Sequence, residues 1–371
     1  MDKFELISRN LDEILTEDDL RQVLAKKEKL NHYIGFEISG SIHLGTGLVT
    51  ALKIRDFQKA GVVCRIFLAD WHTWINDKLG GDWDNIKTIG VDYFKEGFKA
   101  SFEAVGVDAS KVEFTLGSDL YHHADDYWLT VIDVAKNTTL ARTLRSVDIL
   151  GREAGESIDF AKLIYPMMQV ADIFYLGVNL VQAGLDQRKA HVIARAVASQ
   201  IKFKPLLSAD REKTKPIALH QHLILGLQKP SVWPLPADRL REIRTEFKMS
   251  KSKPNSAIFI HDSNKSIEEK ILKAFCPPIE TFYNPLVDWI EFLILPGLGS
   301  IKIKNRGGLK TYQIDQINEL KRDYQEEKIH PLDLKEAVAA AIKKMLEPVQ
   351  SYFGQTRAKK ILDDFERIKQ K

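Results

Sequence analysis

The sequence predicts an α/β fold: a doubly wound parallel sheet with a helical insertion, followed by a mainly α-helical C-terminal domain. Three observations carry that prediction. Residues 33–38 read as a strand, 45–60 as a helix, and 62–69 as an apolar run broken only by Arg65. Strand, helix and strand in close succession make a βαβ unit. An apolar run without alternation is a strand buried on both faces, as parallel sheets require. Finally, 371 residues exceed one ordinary core, so more than one domain is expected.

The elements follow in order. Residues 11–30 are rich in charge and read as one or two surface helices, with Thr16, Asp18 and Asp19 as capping candidates. The strand at 33–38 leads through a Ser39-Gly40-Ser41 turn into the helix that opens near Gly45, and Gly61 stands where a C-terminal cap is needed. Residues 112–115 read as a short strand, and from 112 to 160 the pattern turns helical and polar, an insertion between the halves of the sheet. Residues 166–176 form a further helix with Pro166 placed early, where a missing N–H costs little. Residues 178–181 fit another strand, and 223–247, with Pro230, Pro234 and Pro236, reads as an irregular connector. Beyond Pro254 the chain becomes helical. Leu334, Val338, Ile342, Met345, Leu346 and Val349 form one apolar stripe. Pro331 and Asp333 suit its first turn.

Bulk composition excludes several classes. Hydrophobic residues make up 44% and charged residues 28%, the balance of a soluble globular protein. A net charge of +3 decides nothing about nucleic acid, but basic residues collect in the last third of the chain. No segment is apolar over the roughly 18 residues of a membrane helix, and the N-terminus has no signal-like apolar core, so a cytoplasmic protein is expected. The only two cysteines, Cys64 and Cys276, have no metal spacing and read as structural thiols.

Two constellations carry chemistry. His43-Leu44-Gly45-Thr46 lies between the first strand and its helix, where free N–H groups and the helix dipole suit phosphate. Lys248-Met249-Ser250-Lys251-Ser252 offers two ammonium groups and two hydroxyls that can neutralise charge moving onto pyrophosphate. Each has a bland counterpart: an incidental His beside a Gly, and a basic surface loop. Tyr165, Gln169 and Asp172 fall on one helix face, which spacing alone would also explain as a solvent-facing stripe. His72, after Ala69-Asp70-Trp71, either touches a ligand at the strand's C-terminal edge or caps the strand. Trp71 and Trp74 read as core or wall residues.

Taken together, the HLGT and KMSKS sequences resemble the paired signatures of class I aminoacyl-tRNA synthetases, the first written HIGH in that class. YPMMQVAD and GLDQRKAH resemble the tyrosyl branch in its archaeal and eukaryotic form. The resemblance covers nearly the whole chain and departs from the pattern at Thr46, which replaces the second signature histidine. It implies a Rossmann-like catalytic domain over 1–247, a signature loop and linker over 248–264, and a helical anticodon-binding domain over 265–371. The implied activity is ATP-dependent formation of tyrosyl-adenylate and transfer of tyrosine to the terminal ribose of tRNA(Tyr).

It also implies roles. His43, Lys248 and Lys251 would act on the phosphates of ATP bound as its Mg2+ complex, with Gly45, Thr46, Ser250, Gly184 and Asp186 around the nucleotide. Tyr33 and Asp172 would bond the substrate phenol; Tyr165, Gln169 and Gln187 would hold its ammonium group. His330 and Asp333, from an HPLD sequence, would read the anticodon, and Phe292 would stack on a base. The resemblance implies a homodimer through the 112–160 insertion, no prosthetic group, no metal held by the protein and no membrane.

An ionised Asp only accepts hydrogen bonds, so phenylalanine would leave it unpaired in a dry pocket. Tyrosyl enzymes are themselves the standard example of such discrimination, at about 10⁵ without editing. The rival readings are a tryptophanyl enzyme, a small-molecule adenylyltransferase with a His-x-Gly motif, and a synthetase-like RNA-binding protein without aminoacylation.

Overall fold

The computed structural model describes residues 1–150, 159–235 and 246–369. Its main sheet has six strands: β1 (Leu11–Leu15), β2 (His32–Phe36), β3 (Cys64–Leu68), β4 (Val112–Leu116), β5 (Leu180–Gly184) and β6 (Ile217–Gln221). They lie in the order β1-β6-β5-β2-β3-β4, and only β1 runs antiparallel to its neighbour. From β2 the chain winds outward through β3 and β4; from β5 it winds the other way through β6. The switch point therefore lies between β2 and β5, and the carboxyl ends of those strands open the crevice where such sheets bind ligands.

The βαβ reading holds. Residues 45–60 are helical, with a wide first turn at Gly45–Val49, and end at Gly61 in the left-handed region at φ 80°. Every residue of β3 except Arg65 is buried. The charged stretch at 11–15 is a strand, not a helix. It is only half buried, and its carboxylates bond histidines: Glu13 bonds His220 and Asp12 bonds His222. Such charges mask a strand in the sequence because they answer partners more than 200 residues away. The helix begins after it, at Glu17, with Thr16 as its cap.

Residues 112–116 belong to the sheet, and short helices follow at Gly117–Tyr121, Asp125–Lys136 and Leu140–Ser146. The next helix is Ala161–Tyr175, so Pro166 sits in its interior and leaves the Lys162 carbonyl without its helical N–H. Strand β6, inside a stretch given no element in the sequence reading, is buried throughout. Part of the 223–247 connector lies outside the described residues.

The C-terminal part is mainly helical, with one hairpin that was not anticipated, β7 (Ser300–Asn305) against β8 (Gly308–Gln313). Its period-two pattern buries Ile301 and Ile303 and exposes Lys302 and Lys304. All six residues of the predicted apolar stripe are buried on the helix Pro331–Phe353. The last helix, Thr356–Lys369, folds back on the part of the chain built around the main sheet. There Phe365 stacks on Tyr93 at 3.8 Å, and Ser41 donates to Glu366 at 3.1 Å.

Candidate active site

A cavity of about 440 Å³ opens at the switch point. Tyr33, Tyr165, Gln169, Asp172 and Gln187 all line it, as do His43, Gly45, Thr46, Gly184, Asp186, Lys248, Ser250 and Lys251. Residues up to 218 positions apart in the sequence thus share one crevice, because the strand ends, the helix Ala161–Tyr175 and the 248–252 loop converge at the carboxyl edge of the sheet.

At the deep end stands Asp172, fully buried on the helix Ala161–Tyr175. Its Oδ1 accepts from the hydroxyls of Tyr121 at 2.9 Å and Tyr127 at 3.0 Å. Its Oδ2 has no partner among the described residues, since His72 Nε2 is 3.8 Å away. Burial pushes the carboxyl up to about 8, although the two tyrosines pull it down. Burial thus works against the ionised form expected of Asp172 in the free site. His72 lines the cavity and is buried, which drives its pKa down to about 3 and keeps it neutral. Tyr33 curls back along its strand over Gly35, where a Cβ would lie 2.8 Å from the phenol oxygen.

Beside this slot, Tyr165 donates to Glu37 Oε1 at 2.8 Å, and Asn76 donates to the same oxygen at 2.9 Å. Gln169 Nε2 donates to Gln187 at 3.3 Å, while its buried Oε1 has no partner among the described residues. Glu37, Tyr121 and Tyr127 escaped the sequence reading. Glu37 could have been found, because it follows β2 at the sheet's carboxyl edge. Nothing in the spacing ties the two tyrosines to Asp172.

At the other end, the backbone N–H groups of Gly45 and Thr46 donate to His43 Nδ1 at 3.1 and 3.3 Å. The ring proton then sits on Nε2, 3.2 Å from Thr46 Oγ1. Two of the N–H groups expected to be free for phosphate are thus engaged by His43. Burial, with Lys251 and Lys248 adding to it, pushes His43 down to about 3, so it acts as a neutral donor.

Lys248 pairs with Asp186, and Lys251 donates to Ser39. Burial lowers Lys251 to about 8 despite the opposing pull of Glu37. The signature loop is anchored where Met249 N–H donates to the Ile224 carbonyl at 2.7 Å. At Gly184 an added Cβ would lie 2.5 Å from Asp186 Oδ1, so a larger residue there would displace the Asp186 carboxylate.

His222, next to this anchor, is held between Asp12 and Asp288, each 2.8 Å from a ring nitrogen. Phe292 stacks on it at 3.7 Å. One ring face of Phe292, expected to stack on a base, is thus covered by His222. His330 caps its helix by accepting from Leu332 N–H at 3.1 Å, and Asp333 lies 3.8 Å from Lys304. Among the described residues, no group of three His, Cys, Asp or Glu side chains is arranged to hold a metal, and no helix is long and apolar enough to cross a membrane.

The family described as tRNA synthetases class I (W and Y) matches residues 25–347. A tyrosine–tRNA ligase of Thermococcus sibiricus is 55% identical over 357 residues, covering 95% of this chain and 94% of that protein. A crystal structure of tyrosyl-tRNA synthetase from Pyrococcus horikoshii, complexed with L-tyrosine, superposes with a TM-score of 0.93 at 51% identity and 98% coverage of both chains. The tyrosyl-tRNA synthetase of Aeropyrum pernix gives 0.82 at 36% identity, again over 98% of both chains.

Proposed function

The chain belongs to the tyrosyl branch of the class I tRNA synthetases, ligases that join tyrosine to tRNA with ATP, and from that premise we propose how its residues divide the work. Tyrosine enters with its phenol toward Asp172 Oδ2 and Tyr33, and its ammonium toward Tyr165, Gln169, Gln187 and the newly found Glu37. ATP lies across the strand ends, with magnesium carried in on its phosphates and keeping mostly phosphate and water ligands. His43 Nε2–H donates to the phosphates, and Thr46 fixes that donor. Lys248 and Lys251 leave Asp186 and Ser39 for pyrophosphate as charge builds there. Asp186 is then released to face the ribose beside Gly184, with Ser250 completing the loop.

The tyrosine carboxylate attacks the α-phosphorus, and pyrophosphate leaves. The terminal ribose hydroxyl of tRNA(Tyr) then attacks the adenylate carbonyl, and AMP leaves. No protein nucleophile is needed, because positioning and charge stabilisation supply the rate.

One observation carries this reading: Asp172, with one oxygen held by two tyrosines and the other unpaired, shares a cavity with His43 and both signature lysines. The test is ATP–pyrophosphate exchange with tyrosine, phenylalanine and tryptophan. Exchange with tyrosine alone is the expected result; exchange with tryptophan would overturn the pocket assignment.

The functional division keeps 1–247 as catalytic, 248–264 as the loop and linker, and 265–371 as the anticodon-binding part, with His330 and Asp333 reading the anticodon. The proposed homodimer would form through the helices of the insertion, where Leu129, Ile132, Leu140 and Leu144 are exposed. Sedimentation of Ile132→Glu should then show monomer. The reaction is placed in the cytoplasm.

A further inference from the structure

Behind the wall of the cavity, a row of hydrogen-bonded side chains runs inward from the edge strand. Glu13 on β1 accepts from Arg188 at 2.7 Å and lies 2.9 Å from His220 Nδ1 on β6. His220 Nε2 lies 3.0 Å from Nδ1 of His191, on the helix Arg188–Val197, and both rings are buried.

Donor and acceptor rules fix every proton in this row. Burial would raise the Glu13 carboxyl, but Arg188 and His220 hold it below its usual range, so it is ionised. Burial lowers both imidazoles, His191 well below its usual value, so each carries one ring proton. An ionised carboxylate can only accept. The proton of His220 therefore sits on Nδ1, and its Nε2 must accept. The proton of His191 then sits on its own Nδ1, which leaves Nε2 with a lone pair. His191 lines the cavity, and this nitrogen has no hydrogen-bond partner among the described residues.

The row thus ends in an acceptor of fixed tautomer on a residue that lines the cavity. It stands one helical turn beyond Gln187, on the side where β5 and β6 end. The ammonium of tyrosine already has acceptors in Glu37, Gln169 and Tyr165. A nucleotide brings a different donor to this side, the hydroxyls of its ribose.

We propose that His191 Nε2 accepts a hydrogen bond from a ribose hydroxyl of a substrate nucleotide, with Glu13 and His220 as positioning residues that set its tautomer. This rests on the reading that the cavity binds ATP. It also gives β1 a purpose: the antiparallel edge strand delivers the carboxylate that orients the row.

The test is a double-mutant cycle in ATP–pyrophosphate exchange, comparing ATP with 2′-deoxy-ATP and 3′-deoxy-ATP in wild type and His191→Phe. In wild type, loss of the bonded hydroxyl should lower kcat/KM about tenfold or more, mainly through KM; in His191→Phe the same loss should cost less than about twofold. Equal penalties in both proteins overturn the proposal, unless the coupling appears instead in transfer to tRNA ending in 2′- or 3′-deoxyadenosine, which assigns the hydroxyl to the tRNA terminus. Should His191→Phe fail to fold, nitrogen NMR of histidine-labelled wild type decides. An unprotonated Nε2 that shifts on adding ATP, and not on adding the matching deoxy analogue, supports the bond; a protonated Nε2 in the free protein overturns it. Absence of exchange in wild type would count against the functional reading, not against the row.

Discussion

Asp172→Asn changes one atom of the specificity argument. The carboxyl now divides its labour: Oδ1 takes the hydroxyls of Tyr121 and Tyr127, and Oδ2 has no hydrogen-bond partner among the described residues. In the Asn variant the amide oxygen can keep both tyrosine bonds, so the fold is preserved. The amide nitrogen replaces Oδ2, turning an acceptor into a donor. The phenol of tyrosine then loses a bond to a charged oxygen, worth about 1.5–3 kcal/mol. That equals about ten- to 150-fold in kcat/KM. Phenylalanine has no hydroxyl at that point and leaves the facing atom unpaired in either protein, so its rate should change less than about threefold. The assay is ATP–pyrophosphate exchange with both amino acids at pH 8.5, above the value of about 8 to which burial raises Asp172. If the tyrosine-to-phenylalanine ratio stays within about twofold, Oδ2 does not read the phenol and the reasoning fails.

Three further outcomes follow from the same geometry. Because Asp172 ionises only near 8 in the free site, kcat/KM for tyrosine should rise with pH up to that value, and Asp172→Asn should flatten the profile; a wild-type plateau from pH 6 would contradict it. Burial works against charge on His222, but Asp288 and Asp12 prevail and raise it to about 9. Its stabilisation is therefore complete below the unfolded value near 6.5 and fades as pH passes 9. His222→Leu should lose about 3–5 kcal/mol below pH 6.5 and remove that part of the melting-temperature slope. Lys251→Met should lower kcat for exchange by about 10²–10³ while leaving KM for tyrosine within twofold, since the lysine serves only the developing pyrophosphate charge; an equal rise in KM for tyrosine would place it elsewhere.

The sequence by itself determined the parts whose logic is local. The strand read at 33–38 and found at 32–36, the helix ended by Gly61 and the buried strand after it follow from hydrophobic period and backbone freedom, which act over a few residues. The stripe on the helix Pro331–Phe353 follows for the same reason. So does the shared face of Tyr165, Gln169 and Asp172, because helical spacing is set by the helix itself.

Tertiary structure decided whatever depends on a distant partner. Leu11–Leu15 became a strand because Asp12 and Glu13 meet histidines on and just after β6, and no local pattern records those partners. Phe292 stacks one face on His222, 70 residues away in the chain, a partner that no local pattern records. Tyr121 and Tyr127 reached Asp172 only through packing of the insertion against the helix Ala161–Tyr175. The raised pKa of Asp172 is likewise a product of burial, since the sequence names a carboxyl but the surrounding dielectric opposes its charge.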